Sequence, residues 1–521
     1  MDLEKDSVLV IGAGIGGLAA GIRLAAAGLP VTLIEAQGWP GGKIRTTPSA
    51  AGPVDAGPTV LTLRAVLDDL FDAAGTQLDQ HLTLTPLPVI ARHFWRCGKS
   101  LDLFADPRAN ADAIGQAFDA QARDEFTRFN TATRALFDAF AAPVMQAARP
   151  AALAAAGAAL ARPALLPWLR PGLTLEGKLA KGFTDPRLRQ LFGRYATYVG
   201  GNPKLAPALL ALIWQAEAQG VWAVRGGMAQ LAQVLAGLFT GLGGKLRLNA
   251  PVARLNTAQG RITGATLADG TIIPARQILF NGDPAALPFL LDAPRRAPAA
   301  QRTQPRSLSA HVWTFAAKVR PEGLGRNALG YHTVFFADDA GAEFGPLARA
   351  EIPHQPTIYI CAQDRHETTP EGPERFQFIL NAPALPAAAQ PPKDMPCPIS
   401  PCARLASFGL HLDPDPGSVV LTGPGQFATL FPHSQGALYG LSPNSPLATF
   451  LRPTARTRVQ GLYLAGGGTH PGAGVPMAAL SGKHAAQAVL SDRISARMFH
   501  PMAMPGGIST GSATRATALS R

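Results

Sequence analysis

The most constraining feature of this 521-residue chain lies at its beginning. Val8 to Ile11 is a short apolar run, Gly12 to Gly17 is glycine-rich, Leu18 to Ala27 favours helix, and Val31 to Glu35 is apolar again and ends in an acid. Apolar run, glycine turn, helix and second apolar run in this order predict a β-α-β unit. Gly12, Gly14 and Gly17 then bring backbone N–H groups and the positive end of a helix against a pyrophosphate, and a side chain at Gly12 or Gly14 would block that approach. Glu35 is placed to accept hydrogen bonds from both hydroxyls of an adenosine ribose.

NAD and FAD both use such a unit, so the rest of the chain must choose between them. Gly41, Gly42 and Lys43 follow the acid, a second backbone approach with a cation for phosphate. Asp55, Gly57, Pro58 and Thr59 form a tight turn suited to passing beside a flat ring. Far along the chain, Gly466, Gly467 and Gly468 end a predicted strand, Leu462 to Ala465, and lead through Thr469, His470, Pro471, Gly472, Ala473, Gly474 and Val475 into a helix over about Ala478–Ser491. A helix N-terminus there stabilises the negative charge that a flavin ring gains on reduction. An NAD domain is normally complete within its own half, whereas using residue 12 and residue 480 for one cofactor is flavin behaviour. The expected cofactor is FAD, with Val252 joining it from a second pass of the chain.

With nearly half of its residues apolar, the chain can bury one large or two medium cores. The expected architecture is α/β: a split Rossmann-like FAD-binding domain with an inserted α+β substrate domain. The FAD parts are placed at 1–80, 241–290 and 451–495, a mainly helical substrate or membrane-facing region at 81–240, a substrate-domain sheet at 291–450, and a disordered tail at 496–521. Gly243–Leu255 and Arg261–Leu267 read as a strand pair. His311–Ala317, Ala328–Phe336, Thr357–Cys361 and Phe376–Leu380 read as an antiparallel sheet. Cys97, Cys361, Cys397 and Cys402 make no disulfide framework, and no His stands beside the Cys397/Cys402 pair, so no metal site is expected.

The formal charge of +12 favours polyanionic neighbours. The basic residues are dispersed and no nucleic-acid-binding signature accompanies them, so a membrane surface is favoured over nucleic acid. Ala141–Arg194 carries eight Lys or Arg against two acids and is broken by Pro150, Pro163, Pro167 and Pro171. Such a stretch has no uninterrupted run of about 20 apolar residues to span a bilayer. It reads either as an interfacial surface on anionic lipid or as buried helices joined by proline turns. The N-terminus shows no basic-then-apolar export signal, and the expected location is the cytoplasmic side, as a peripheral membrane protein.

The quoted motifs together resemble a known family. VLVIGAGIGGLAAGIRLAAAGLPVTLIEA, PGGKIRT, DAGPTVLT and the closing GLYLAGGGTHPGAGVPMAALSGKHAA are similar to the carotenoid (phytoene-type) desaturases, over about residues 7 to 495. The stretches Tyr195–Met228 and His433–Gln460 look more like the hydroxycarotenoid (methoxyneurosporene) 3,4-desaturases. The resemblance implies an acyclic carotenoid substrate carrying a 1-hydroxyl or 1-methoxyl group, FAD-dependent loss of hydride and proton across C3–C4, and oxygen or a membrane quinone as electron acceptor. A buried polar group could read the substrate hydroxyl.

His470, the titratable group within the C-terminal motif, is the catalytic candidate: it can accept the proton, orient the ring, or simply hydrogen-bond backbone in a turn. His433, Tyr439, Tyr198 and Trp214 are candidates for the substrate end or ordinary packing. The competing functions are a phytoene-type desaturase or carotenoid isomerase, a flavin amine oxidase, and a prenyl-binding escort protein without flavin.

Overall fold

The computed structural model describes residues 7–151, 157–292, 297–298, 304–386, 399–445 and 448–498. Its centre is a five-stranded parallel sheet with spatial order Leu462–Leu464, Ile278–Phe280, Val8–Ile11, Val31–Ile34, Lys245–Arg247. Three distant parts of the chain therefore build one sheet. Every residue of Val8–Ile11 and Val31–Ile34 is buried, as expected of parallel strands covered on both faces.

The helix Ile15–Ala26 is buried along almost its whole length because it packs between Met228–Gly241 and Val475–Met498. Small residues permit this: a β-carbon on Gly482 would lie 2.4 Å from the Gly16 carbonyl oxygen. The C-terminal helix is thus locked onto the first helix of the chain.

The second layer is a mainly antiparallel sheet. It contains Ser309–Val319, Glu374–Ala382, Ile358–Ala362 and His332–Phe335, the region read as alternating strands, with Leu412–Pro414 and Val420–Thr422 at one side. Ala91–Phe94 and Ser100–Leu103 extend it on the other side, Ala91–Phe94 running parallel to His332–Phe335. These two strands come from the 81–240 region read as mainly helical. Their brief alternation, with His93 and Leu101 buried and Arg92 and Asp102 paired outside, is short enough to be hidden among the helices that follow.

Some boundaries differ from the reading of the sequence. Gly243–Leu255 is not one strand. Lys245–Arg247 joins the parallel sheet, Asn249 takes a positive φ of 55° before Pro251, and only Val252–Ala258 pairs with Arg261–Leu267. The last helix is Val475–Met498, which starts earlier and ends later than expected and includes the first residues assigned to a disordered tail. The remainder of that tail and Cys397 lie outside the described residues. Among the described residues, no helix is long and apolar enough to cross a membrane.

Candidate functional site: a cradle for a dinucleotide and a polar end beyond it

At the N-terminal turn the backbone itself makes the cradle. Gly12 has φ +99°, and a β-carbon on Gly17 would lie 2.1 Å from the Gly12 carbonyl oxygen, so Gly17 sets the contact between helix and strand. Gly14 differs. A β-carbon there meets the Asn281 Nδ2 at 3.0 Å and the Gly42 Cα at 3.9 Å, with nothing else within 4 Å. Gly42, with φ +60°, lies against Gly14, and the Gly41 N–H donates to the Ala13 carbonyl at 2.8 Å. The Glu35 carboxylate is buried, its Oε2 accepting from the Ala13 N–H at 2.7 Å and its Oε1 from the Gln37 N–H at 2.9 Å. Each oxygen keeps a further lone pair for a ribose hydroxyl. Val252 begins the strand just beyond Ala250, whose N–H donates to the Glu35 carbonyl at 2.7 Å.

The far end of the cradle is formed by residues Gly466–Val475. Gly466 and Gly474 have φ values of +102° and +110°, and Gly474 immediately precedes the last helix, of which Val475 is the first, buried residue. The Gly466 N–H donates to Ser481 Oγ at 2.7 Å. The buried Arg452 guanidinium clamps the loop, donating to the carbonyls of Gly467 at 3.0 Å, Tyr439 at 2.9 Å and Leu441 at 3.2 Å.

Beside this loop Asp283 pairs with Arg306, both almost fully enclosed. Lys43 comes to the same place: its Nζ donates to the Leu438 carbonyl at 2.5 Å and lies 5.4 Å from the centre of the Phe431 ring. Desolvation pushes the Lys43 ammonium down to about 8, with Asp283 opposing and Arg306 and Arg452 adding to the fall. Lys43, Arg306 and Arg452 face one carboxylate, so this end of the cradle carries excess positive charge.

These residues fit a dinucleotide. The glycine surface is open at Gly14, the charge suits a diphosphate, and Asn281 Oδ1 is a buried acceptor without a partner, while its Nδ2 donates to the Gly12 carbonyl at 3.1 Å. Asn281, Asp283, Arg306 and Arg452 were not singled out as site residues from the sequence. The turn Asn281-Gly282-Asp283 directly after a parallel strand was the available signal for the first two; Arg306 and Arg452 carry none.

The turn at Gly57 is held from several sides. The buried Asp55 carboxylate accepts from the N–H groups of Met228 at 2.6 Å and Ala229 at 3.1 Å, at the start of a helix. Burial nevertheless raises its pKa. A β-carbon on Gly57 would lie 2.0 Å from the Lys43 carbonyl oxygen, and Gln377 Nε2 donates to the Gly57 carbonyl at 2.8 Å. Thr59 then hydrogen-bonds the Tyr359 hydroxyl at 2.8 Å.

His470 is buried. Its Nε2 donates to the Ala147 carbonyl at 2.9 Å, its main-chain N–H to Pro453 at 2.8 Å, and its ring stacks on His484 at 6.0 Å. Desolvation lowers it to about 4, partly offset by the Ala147 bond. A neutral imidazole this weakly basic is poorly matched to holding a proton near neutral pH. Its contacts suit anchoring the loop to the 141–149 segment.

Among the substrate-end candidates, Trp214 is fully buried with its Nε1 donating to Asn130 Oδ1 at 2.9 Å. Tyr439 packs against Gly200, and burial pushes its phenol up to about 12. His433 stacks on the exposed Phe289 at 4.1 Å. Tyr198 belongs to a polar network that contains a buried charge pair. Tyr195 donates to Glu217 Oε2 at 2.6 Å, Tyr198 donates to Glu217 Oε1, and Arg194 Nη1 donates to the Tyr198 hydroxyl at 2.9 Å.

The comparisons agree with this geometry. The family model for flavin containing amine oxidoreductase matches residues 15–360 and 427–490. A hydroxyneurosporene desaturase from Cereibacter sphaeroides is 54% identical over 94% of this chain and 98% of its own length. A protein of the same name from Rhodobacter capsulatus is 51% identical over 95% and 99%. An oxidoreductase from Methanosarcina mazei has the same fold, with a TM-score of 0.59 at 15% identity, over 93% of this chain and all of its own.

The chain belongs to the flavin-containing amine oxidoreductase family, and within it to the carotenoid desaturases. It is an FAD-dependent oxidoreductase with the split FAD-binding fold expected from its motifs. Flavin-family membership sets aside the non-flavin escort reading.

Proposed function

We propose that the chain desaturates an acyclic carotenoid with a 1-hydroxyl or 1-methoxyl end, introducing the C3–C4 double bond. The observation that carries this reading is the near-full-length similarity to hydroxyneurosporene desaturases. Bound FAD supplies a hydride acceptor at N5, and loss of a neighbouring proton completes the double bond. The chain's own residues hold and shield. Glu35 and the Gly12–Gly17 turn bind the nucleotide end, Arg452 fixes the loop at the ring, and the turn at Gly57 is held with its carbonyl tied to Gln377. Allylic delocalisation along the polyene reduces the demand for a strong general base, in keeping with a weakly basic His470. The test is to supply different carotenoids to cells expressing the chain and record product spectra. A red shift with a hydroxylated acyclic substrate supports the reading, and efficient conversion of phytoene would move the chain to the phytoene-type desaturases.

The second part of the reading is a peripheral position on the cytoplasmic side of an anionic membrane, with oxygen or a membrane quinone as electron acceptor. In its support, Leu160 and Leu166 are 71% and 43% exposed within the net-basic 141–194 stretch, beside exposed Arg162 and Arg170. Apolar side chains among cations suit the headgroup boundary, and the substrate dissolves only in lipid. Vesicle binding is expected to rise with anionic lipid and to weaken in salt, where the screening length falls to about 3 Å at 1 M. Equal binding to neutral and anionic vesicles would remove the electrostatic component.

A further inference from the structure

Two atoms in the polar network beyond Gly57 have no partner: Arg194 Nε and His332 Nε2. Their residues are only 8% and 2% exposed. Buried donors and acceptors are almost always paired in folded proteins, so two in one place need an explanation.

They are in one place. Arg194 Nη2 donates to His93 Nε2 at 3.3 Å, and His93 Nδ1 donates to the Leu101 carbonyl at 3.1 Å. His93 stands opposite Val334 in the parallel strand pair. His332, two residues before Val334, projects from the same face of the sheet. Burial drives His332 down to about 3, with the Arg194 charge contributing to that fall. The His332 ring is neutral, and its Nδ1 hydrogen-bonds the Tyr359 hydroxyl at 2.6 Å.

Arg194 Nε can only donate. His332 Nε2 accepts or donates, according to which nitrogen the Tyr359 bond leaves bare. An alcohol, like a water molecule, accepts from one neighbour while giving its own proton to another. The Tyr359 hydroxyl also leads, at 2.8 Å, to Thr59, which is two residues past Gly57 in the turn read as passing beside the flavin. The carbon that bears a 1-hydroxyl is separated from C3 by a single methylene, so a site that reads the hydroxyl must adjoin the place where C3 and C4 react.

We propose that Arg194 and His332 bind the substrate's terminal hydroxyl, Arg194 Nε donating to its oxygen and His332 Nε2 exchanging the second hydrogen bond. Tyr359 and Thr59 orient the His332 ring, and Glu217 with Tyr198 holds Arg194. This assignment rests on the hydroxycarotenoid reading and names the residues that give it specificity. An ether oxygen accepts but cannot donate, so a 1-methoxyl end satisfies Arg194 and uses His332 only when Nε2 carries the proton.

The test uses the full-length, FAD-loaded protein with a 1-hydroxylated acyclic carotenoid and its unhydroxylated parent, and the variants His332→Phe and Arg194→Lys. Bound FAD and melting temperature identify folded preparations. If His332→Phe does not fold, Arg194→Lys keeps the charge beside Glu217 while removing Nε. Binding is read from the carotenoid absorption band under conditions without turnover, and kcat/KM from product formation. Each variant is expected to lose at least about tenfold in affinity and kcat/KM for the hydroxylated substrate, with the parent changed little. A hydroxyl preference in binding that survives both variants, or equal losses on both substrates, overturns the assignment and leaves a structural water as the occupant. A wild-type preference in binding, lost in the variants, without C3–C4 desaturation would keep the site and overturn the reaction.

Discussion

The nucleotide end and the hydroxyl-facing end of this molecule are built in opposite ways. At the nucleotide end the backbone forms the surface, and the decisive residues are glycines plus one acid within a single β-α-β unit. At the other end side chains form the surface, drawn from positions 59, 93, 194, 198, 217, 332 and 359 on different strands, turns and helices. A backbone-built site is sensitive to an added β-carbon. A side-chain-built site is sensitive to loss of a charge or a hydrogen-bonding atom.

Glycine substitutions should produce the largest effects and can split folding from cofactor binding. Gly17→Ala forces a β-carbon to within 2.1 Å of the Gly12 carbonyl oxygen and is expected to cost about 4 kcal/mol or more, leaving little folded protein. Gly14→Val faces mainly open cradle and is expected to fold as apoprotein, checked by circular dichroism together with flavin absorbance. A Gly14→Val protein carrying its full complement of FAD would place the phosphate elsewhere.

Glu217→Gln tests the other end. It leaves Arg194 buried without its carboxylate, at an expected cost of about 3 kcal/mol in denaturant unfolding, while folded molecules keep their FAD. Loss of FAD in parallel with stability would mean that the two ends are not separate units.

A smaller effect is expected at Lys43. With its pKa lowered to about 8, the ammonium is charged below that pH and neutral above it, so its attraction for a diphosphate is present at low pH and lost as pH rises. A bound diphosphate favours the charged form and moves the loss upward. FAD affinity is expected to fall about tenfold, or about 1.4 kcal/mol, on going well above pH 8, and Lys43→Arg should flatten the profile. An unchanged slope in Lys43→Arg would assign the titration to another group.

The same contrast explains what could be read from the sequence. Gly12, Gly14, Gly17 and Glu35 are legible because their spacing is fixed by one local unit, and the structure forms that unit with strands at Val8–Ile11 and Val31–Ile34. The return of the C-terminal strand was legible from Leu462 to Gly474, since three glycines after an apolar run mark a backbone approach. Arg452 and Arg306 were not, because a buried arginine reads like any surface arginine until its carbonyl or carboxylate partners are known. Nor was the placing of His332 near His93 and its partner Arg194, which depends on a parallel pairing between strands more than 200 residues apart. His470 was visible as a titratable group, but the burial that makes it weakly basic, against the opposing bond to Ala147, is set by other segments of the chain.

The central claim is best tested by the position of the new double bond. Incubated with a 1-hydroxylated acyclic carotenoid, the FAD-loaded protein in anionic vesicles should give a product lighter by two hydrogens, with the added unsaturation at C3–C4 by nuclear magnetic resonance. A double bond elsewhere in the chain, or an isomerised product of unchanged mass, would contradict the account.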